Sequence, residues 1–101
     1  MRIVKTVHGD TVELLLAGRV DGAMANELEV EILKARKDGA ASVLVNLSEA
    51  DFLCSAAIRA LLQHHRQMKA QQKSLLISRA SPEVDSILEL TGFRDLLLEK
   101  I

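Results

Sequence analysis

Residues 42–62, SVLVNLSEADFLCSAAIRALL, open as a strand and close as a helix, and the placement of that passage decides the fold. Its first seven residues, "SVLVNLS", form a short continuous apolar run of the kind carried by a strand buried on both faces. They are read as a central strand. From Ser55 onward, Ile58, Leu61, Leu62, His65 and Met68 recur at helical spacing, which predicts a helix to about Gln72 with one buried stripe.

Upstream, "IVKTVHGDTVELLLAGRV" is β-branched and apolar on both sides of Gly9-Asp10, a pair suited to the positive φ of a tight turn, and it predicts two antiparallel strands. In "DGAMANELEVEILKARKDG" the residues Met24, Leu28, Ile32 and Ala35 share a helix face, Asp21 can cap its start and Gly39 can end it. Its charges run from Glu27, Glu29 and Glu31 to Lys34, Arg36 and Lys37, in the sense the helix dipole favours. Downstream, "SLLISRA" reads as another inner strand. Ser81-Pro82 supplies a cap and a first-turn proline for "PEVDSILELTG", with Gly92 as a left-handed stop, and "FRDLLLEKI" suits a short closing helix. Helices between the later strands imply crossover connections. The expected fold is therefore α/β, a mixed sheet with an N-terminal hairpin and parallel inner strands, helices packed on it, as one domain over residues 1–101.

The 101 residues are 49% hydrophobic and 27% charged, enough for one compact core. A formal net charge of -1 provides no global field for nucleic acid or an anionic membrane. With no Trp or Tyr, and Phe52 and Phe93 as the only aromatics, stacking platforms for single-stranded nucleic acid are missing as well. Neither nucleic acid nor membrane insertion is expected. No apolar run approaches the roughly 20 residues of a bilayer span. A lone cysteine cannot form an internal disulfide, and "MRIVKTVHGD" lacks a signal-peptide core, so a reducing cytoplasm is the expected location.

Cys54 precedes the helix that begins at Ser55, a position where a thiol can lose its proton more easily. Nucleophilic catalysis also needs a base, and the spacing of His8, His64 and His65 brings none to it, so Cys54 is read as a buried structural cysteine. Adjacent His64 and His65 cannot ligate a metal from one helix face; a partly buried His65 and a solvated His64 are expected. The same helix carries Arg59, Arg66 and Lys69 and no acid, while the next predicted helix carries Glu83, Asp85 and Glu89. This asymmetry is either ordinary solvated surface or a basic face that docks an acidic partner. Apolar residues near the end of that second helix offer a surface for self-association.

The order of four pieces, "AGRVD" (17–21), "VLVNLSEADFLCS" (43–55), "AAIRALL" (56–62) and "SPEVDSILELTGF" (81–93), resembles the STAS domain of bacterial anti-sigma-factor antagonists over essentially the whole chain. In that family the strand before the second helix leads into Asp-Ser-Ser-Gly, whose first serine accepts phosphate from a partner kinase. Ser55 falls on that position, and Asp21 on the family's G-x-x-D position. Cys54 stands where the acid is usual, Ala56 replaces the second serine and Ala57 the glycine. The resemblance implies phosphorylation at Ser55, a partner surface including Asp21, Cys54, Ser55, Ala56, Ala57 and Arg59, an anti-sigma factor with serine kinase activity as partner, and no cofactor or metal of the chain's own.

Two readings of Ser55 stand side by side. As a cap, its oxygen accepts an N–H from Ala57 or Ile58, worth about 1 kcal/mol. As a switch, it gains about -1.5 to -2 charge on phosphorylation at pH 7, which a helix N-terminus tolerates and a partner surface built against a neutral serine does not. The function expected is a non-enzymatic partner-switching regulator. A constitutive STAS adaptor subunit of a transport or signalling complex is the alternative, and an enzyme is disfavoured because clustered Asp, Glu, His and Cys residues are lacking.

Overall fold

The structure, a computed structural model, describes residues 3–98. β1 (Ile3–His8) turns through Gly9, at φ 60°, into β2 (Thr11–Val20), and the two pair antiparallel with Ile3 opposite Leu16. There follow α1 (Gly22–Lys37), β3 (Ser42–Leu53), α2 (Ser55–Ala70), β4 (Ser74–Ala80), α3 (Pro82–Thr91) and α4 (Arg94–Leu97). The sheet runs β1-β2-β3-β4, with β3 parallel to both β2 and β4. The expected mixed sheet, with its hairpin at one side, is what the chain builds.

Alternation in the strands sets the core. Val12 pairs with Val43 and then Leu75, and Leu14 with Val45 and then Ile77, so these six side chains share one face. All are buried. They join one cluster with Met24, Leu28, Ile32 and Ala35 of α1 and Ala57, Ile58, Leu61 and Met68 of α2. Each large aliphatic side chain buried there contributes about 1.5–3 kcal/mol. α1 packs against β2 and α2, and α2 also against β4.

The third helix is fixed at both ends by local chemistry. Ser81 Oγ accepts the Val84 N–H at 3.1 Å and donates to the Ala50 carbonyl at 2.6 Å, while Gly92 closes the helix at φ 81°. Val84 and Leu88 are thereby buried, with α3 against β3. Asp85 then receives Arg94 Nε at 2.6 Å, tying α3 to α4; that hydrogen bond and the charge of Asp85 push the guanidinium above its already high pKa.

Four expectations need correction. β4 is an edge strand and not an inner one, its outer side meeting only Leu98 through a parallel bridge to Ile77 among the described residues. The central strand runs on to Leu53, because β2 continues to offer backbone partners past Leu47, where β4 ends opposite Ala80. The second helix stops at Ala70, and the reversal is made by Gln72 at φ 56°. The large exposed apolar residues among the described ones, Val4, Val7, Val30, Leu33, Leu90 and Leu96, lie on β1, α1, α3 and α4 and not at the end of α2. Of the closing "FRDLLLEKI", Arg94–Leu97 is helical as expected, and its last three residues lie outside the described ones.

His64 also departs from the expected solvated position: it is 3% exposed, more buried than His65 at 8%. Arg36 of α1 donates to its Nδ1 at 2.8 Å, so the ring proton must sit on Nε2, which donates to Glu29 at 3.1 Å. Arg36 also reaches Gln67 Oε1 at 2.7 Å. Sequence spacing cannot reveal this, since both partners of the ring belong to another helix. His65 ties α2 to β4 by donating from Nδ1 to the Leu75 carbonyl at 2.9 Å. Replacing His64 with alanine leaves Arg36 and Glu29 without their shared partner. His64→Ala is expected to lower the unfolding free energy by about 1–3 kcal/mol in urea denaturation, with an unchanged denaturant dependence.

Candidate functional site

The residues singled out by the sequence converge at the C-terminal ends of β2 and β3. Val20 pairs with Leu53, and the Cys54 N–H donates to the Val20 carbonyl at 3.0 Å, so the chain leaves two parallel strands at one level. Each strand passes directly into a helix. The starts of α1 and α2 therefore stand next to one another, each with unpaired N–H groups and the positive end of its dipole.

The two starts are finished differently. Asp21 caps α1, its carboxylate accepting the Met24 N–H at 3.0 Å. At α2 the cap position belongs to Cys54, whose carbonyl takes the Ile58 N–H at 3.2 Å and whose side chain makes no capping bond. Ser55 is thus the first residue inside the helix. The cap reading of Ser55 is corrected: its hydroxyl accepts neither Ala57 nor Ile58, and among the described residues it makes no hydrogen bond. Ser55 is exposed, as are Ala56 and Arg59.

Ala57 and Cys54 turn inward. Ala57 is 0% exposed, its methyl group part of the core under the first turn of α2. Cys54 is half-buried against that core, less enclosed than a fully buried structural cysteine. His64 and His65 are both committed elsewhere and His8 lies exposed at the end of β1, by the hairpin turn, so no imidazole serves the thiol as a base. Behind the site, Arg19 lies over the Phe52 ring at 3.9 Å. Sequence reading passed over this contact, because it depends on the register that sets Arg19 opposite Phe52.

Along α2 the exposed residues Ser55, Arg59, Gln63 and Arg66 follow one another at helical spacing, with Lys69 nearby. No acid occurs in α2, and Arg59, Arg66 and Lys69 have no ion-pair partner among the described residues. By contrast, Asp85 of the acidic α3 is already engaged by Arg94. The site is an exposed hydroxyl at the head of an uncompensated basic stripe, beside a capping carboxylate.

Comparison with known proteins gives a consistent result. The STAS domain family model matches residues 2–101. The Bordetella bronchiseptica protein BtrV is 31% identical over 78 residues, covering 77% of this chain and 67% of its own. An anti-sigma-B factor antagonist of Staphylococcus epidermidis is 25% identical over 97 residues, covering 96% and 90%. Among solved structures, the anti-sigma factor antagonist SpoIIAA in its unphosphorylated form superposes with TM-score 0.81 at 20% identity, over 97% of this chain and 88% of that one. The phosphorylated form of SpoIIAA gives TM-score 0.76 at 19% identity, over 98% and 90%. The fold is shared with both forms of SpoIIAA.

The unequal caps make a direct test. Asp21→Ala is expected to cost about 1 kcal/mol of stability, whereas Ser55→Ala should stay within about 0.5 kcal/mol of the parent in urea denaturation.

Proposed function

This chain belongs to the STAS domain family, and from that premise we propose that it is a partner-switching regulator of the anti-sigma-factor-antagonist type. In its unmodified form it binds an anti-sigma factor that is also a serine kinase. The kinase transfers the γ-phosphoryl group of its ATP to Ser55. The Ser55 Oγ–P bond forms, the bond to the departing ADP breaks, and the hydroxyl proton passes to a base on the kinase. Phosphorylation releases the partner. Asp21, Cys54, Ser55, Ala56 and Arg59 are assigned to the switching surface, Ala57 being withdrawn from it because its side chain is buried in the core, and the chain's role is regulatory and not catalytic.

The observation that carries this reading is the exposed, unbonded hydroxyl of Ser55 on the first turn of α2. It supports no capping role, so the hydroxyl is free for chemistry. A phosphate there meets the positive end of the helix dipole and leaves the fold standing. A docked partner meets a desolvated dianion, which costs several kcal/mol unless paired. The names of the relatives agree, and one structural neighbour is known in both phosphorylation states.

A second reading, a constitutive STAS adaptor with no switch, is favoured by one observation: Cys54 occupies the place of the family's acid, and the buried Ala57 that of its glycine. The two readings separate in a pull-down from the source cell. The switch gives capture of a kinase-like protein by the parent and Ser55→Ala, at least tenfold weaker capture by Ser55→Asp, and an added phosphate in intact-mass spectra. Equal capture by all three folded variants, with no phosphate, leaves the adaptor.

A further inference from the structure

We propose that Arg59 is a built-in receptor for the phosphate on Ser55, so that modification both adds an anion and removes a cation from the face a partner meets. The inference rests on Ser55 being the modified residue, and it names how this chain's own surface responds. Ser55 and Arg59 are both exposed on α2, four residues apart, which places their side chains one above the other on the same face. The order is the favourable one, anion toward the N-terminus and cation one turn below, so the pair and the helix dipole act together.

Nothing on the helix competes for the guanidinium. α2 contains no Asp or Glu, and Arg59 has no partner among the described residues. Nor is the phosphate's setting otherwise rich in positive charge. Asp21, at the neighbouring helix start, presents a carboxylate, and exposed Asp51 precedes the site on β3. Arg19 is held over Phe52. Arg66 stands about three turns beyond Ser55, roughly 16 Å along the axis, out of reach. Arg59 is the cation that helix geometry delivers.

Pairing neutralises the head of the Arg59–Gln63–Arg66 stripe. An acidic protein surface that docks on the unmodified stripe therefore loses its nearest cation at the moment the dianion arrives. Both changes oppose docking.

The test uses phosphoserine installed at position 55 during translation, so it needs no kinase and no partner. The second ionisation of the phosphate, ordinarily near pH 6, is followed by phosphorus NMR at low salt. With Arg59 present it is expected about 0.2–0.4 pH unit lower than in Arg59→Gln, the difference shrinking at about 0.5 M salt. Arg66→Gln and Arg19→Gln should leave it where it is in the parent. An Arg59→Gln titration identical to the parent overturns the proposal, as does a shift produced by Arg19→Gln instead. Should the titration succeed while cells never phosphorylate Ser55, the switch fails and the pairing stands; the reverse result removes only the pairing.

Discussion

The parallel pairing of β2 with β3 through to Val20 and Leu53 is the constraint on which the rest of the molecule depends. It obliges two strands to end at one level, and each continues into a helix with a single residue between. Two helix starts are thus set side by side without any long loop to order. The hydrogen bond from Cys54 to the Val20 carbonyl is the last rung of that ladder. It also fixes the backbone of Cys54 in the extended conformation a cap position needs, with φ at -77° and ψ at 165°.

The sheet is uneven at this end for a reason. β4 leaves β3 after Leu47, where the Ser81 N–H donates to the Leu47 carbonyl and Ser81 turns the chain into α3. The remaining length of β3 is held by β2 on one side and anchored by Ser81 Oγ on the Ala50 carbonyl. The helix pair that rises from β2 and β3 is then locked further along by a relay from Glu29 through His64 to Arg36 and Gln67. Removing water from such groups is costly, so the bonds they make select one relative placement of α1 and α2.

The charged residues that hold the fold are not the ones exposed along α2. Asp21 spends its carboxylate on the α1 cap and Asp85 on Arg94, while α2 is held from its inner face, by apolar packing and by the bonded His64 and His65, with no side-chain bond at its cap. The outward side of α2 is consequently unconstrained. An exposed serine and a run of cations can vary there with little effect on the core.

Much of the architecture is written locally. Gly9-Asp10, Asp21, Ser81-Pro82 and Gly92 each act through a turn or cap whose chemistry involves only a few neighbouring residues, and each does in the structure what its type dictates. The buried stripe of α2 is legible for the same reason, since helical period alone brings Ile58, Leu61 and Met68 together. Other features are decided by tertiary contacts. Ser48, Glu49 and Asp51 carry no strand signal, yet they lie in β3 because β2 runs alongside with free backbone groups. His64 reads as solvated until α1 supplies Glu29 and Arg36. Serine is the better cap by propensity, but the position goes to Cys54, because a hydrogen bond to another strand fixes where the helix begins. The sequence thus determined the elements and the candidate residue, through interactions among near neighbours; the three-dimensional fold decided that Ser55 stands one residue inside its helix with its oxygen unclaimed, because that register is set by a strand far away along the chain.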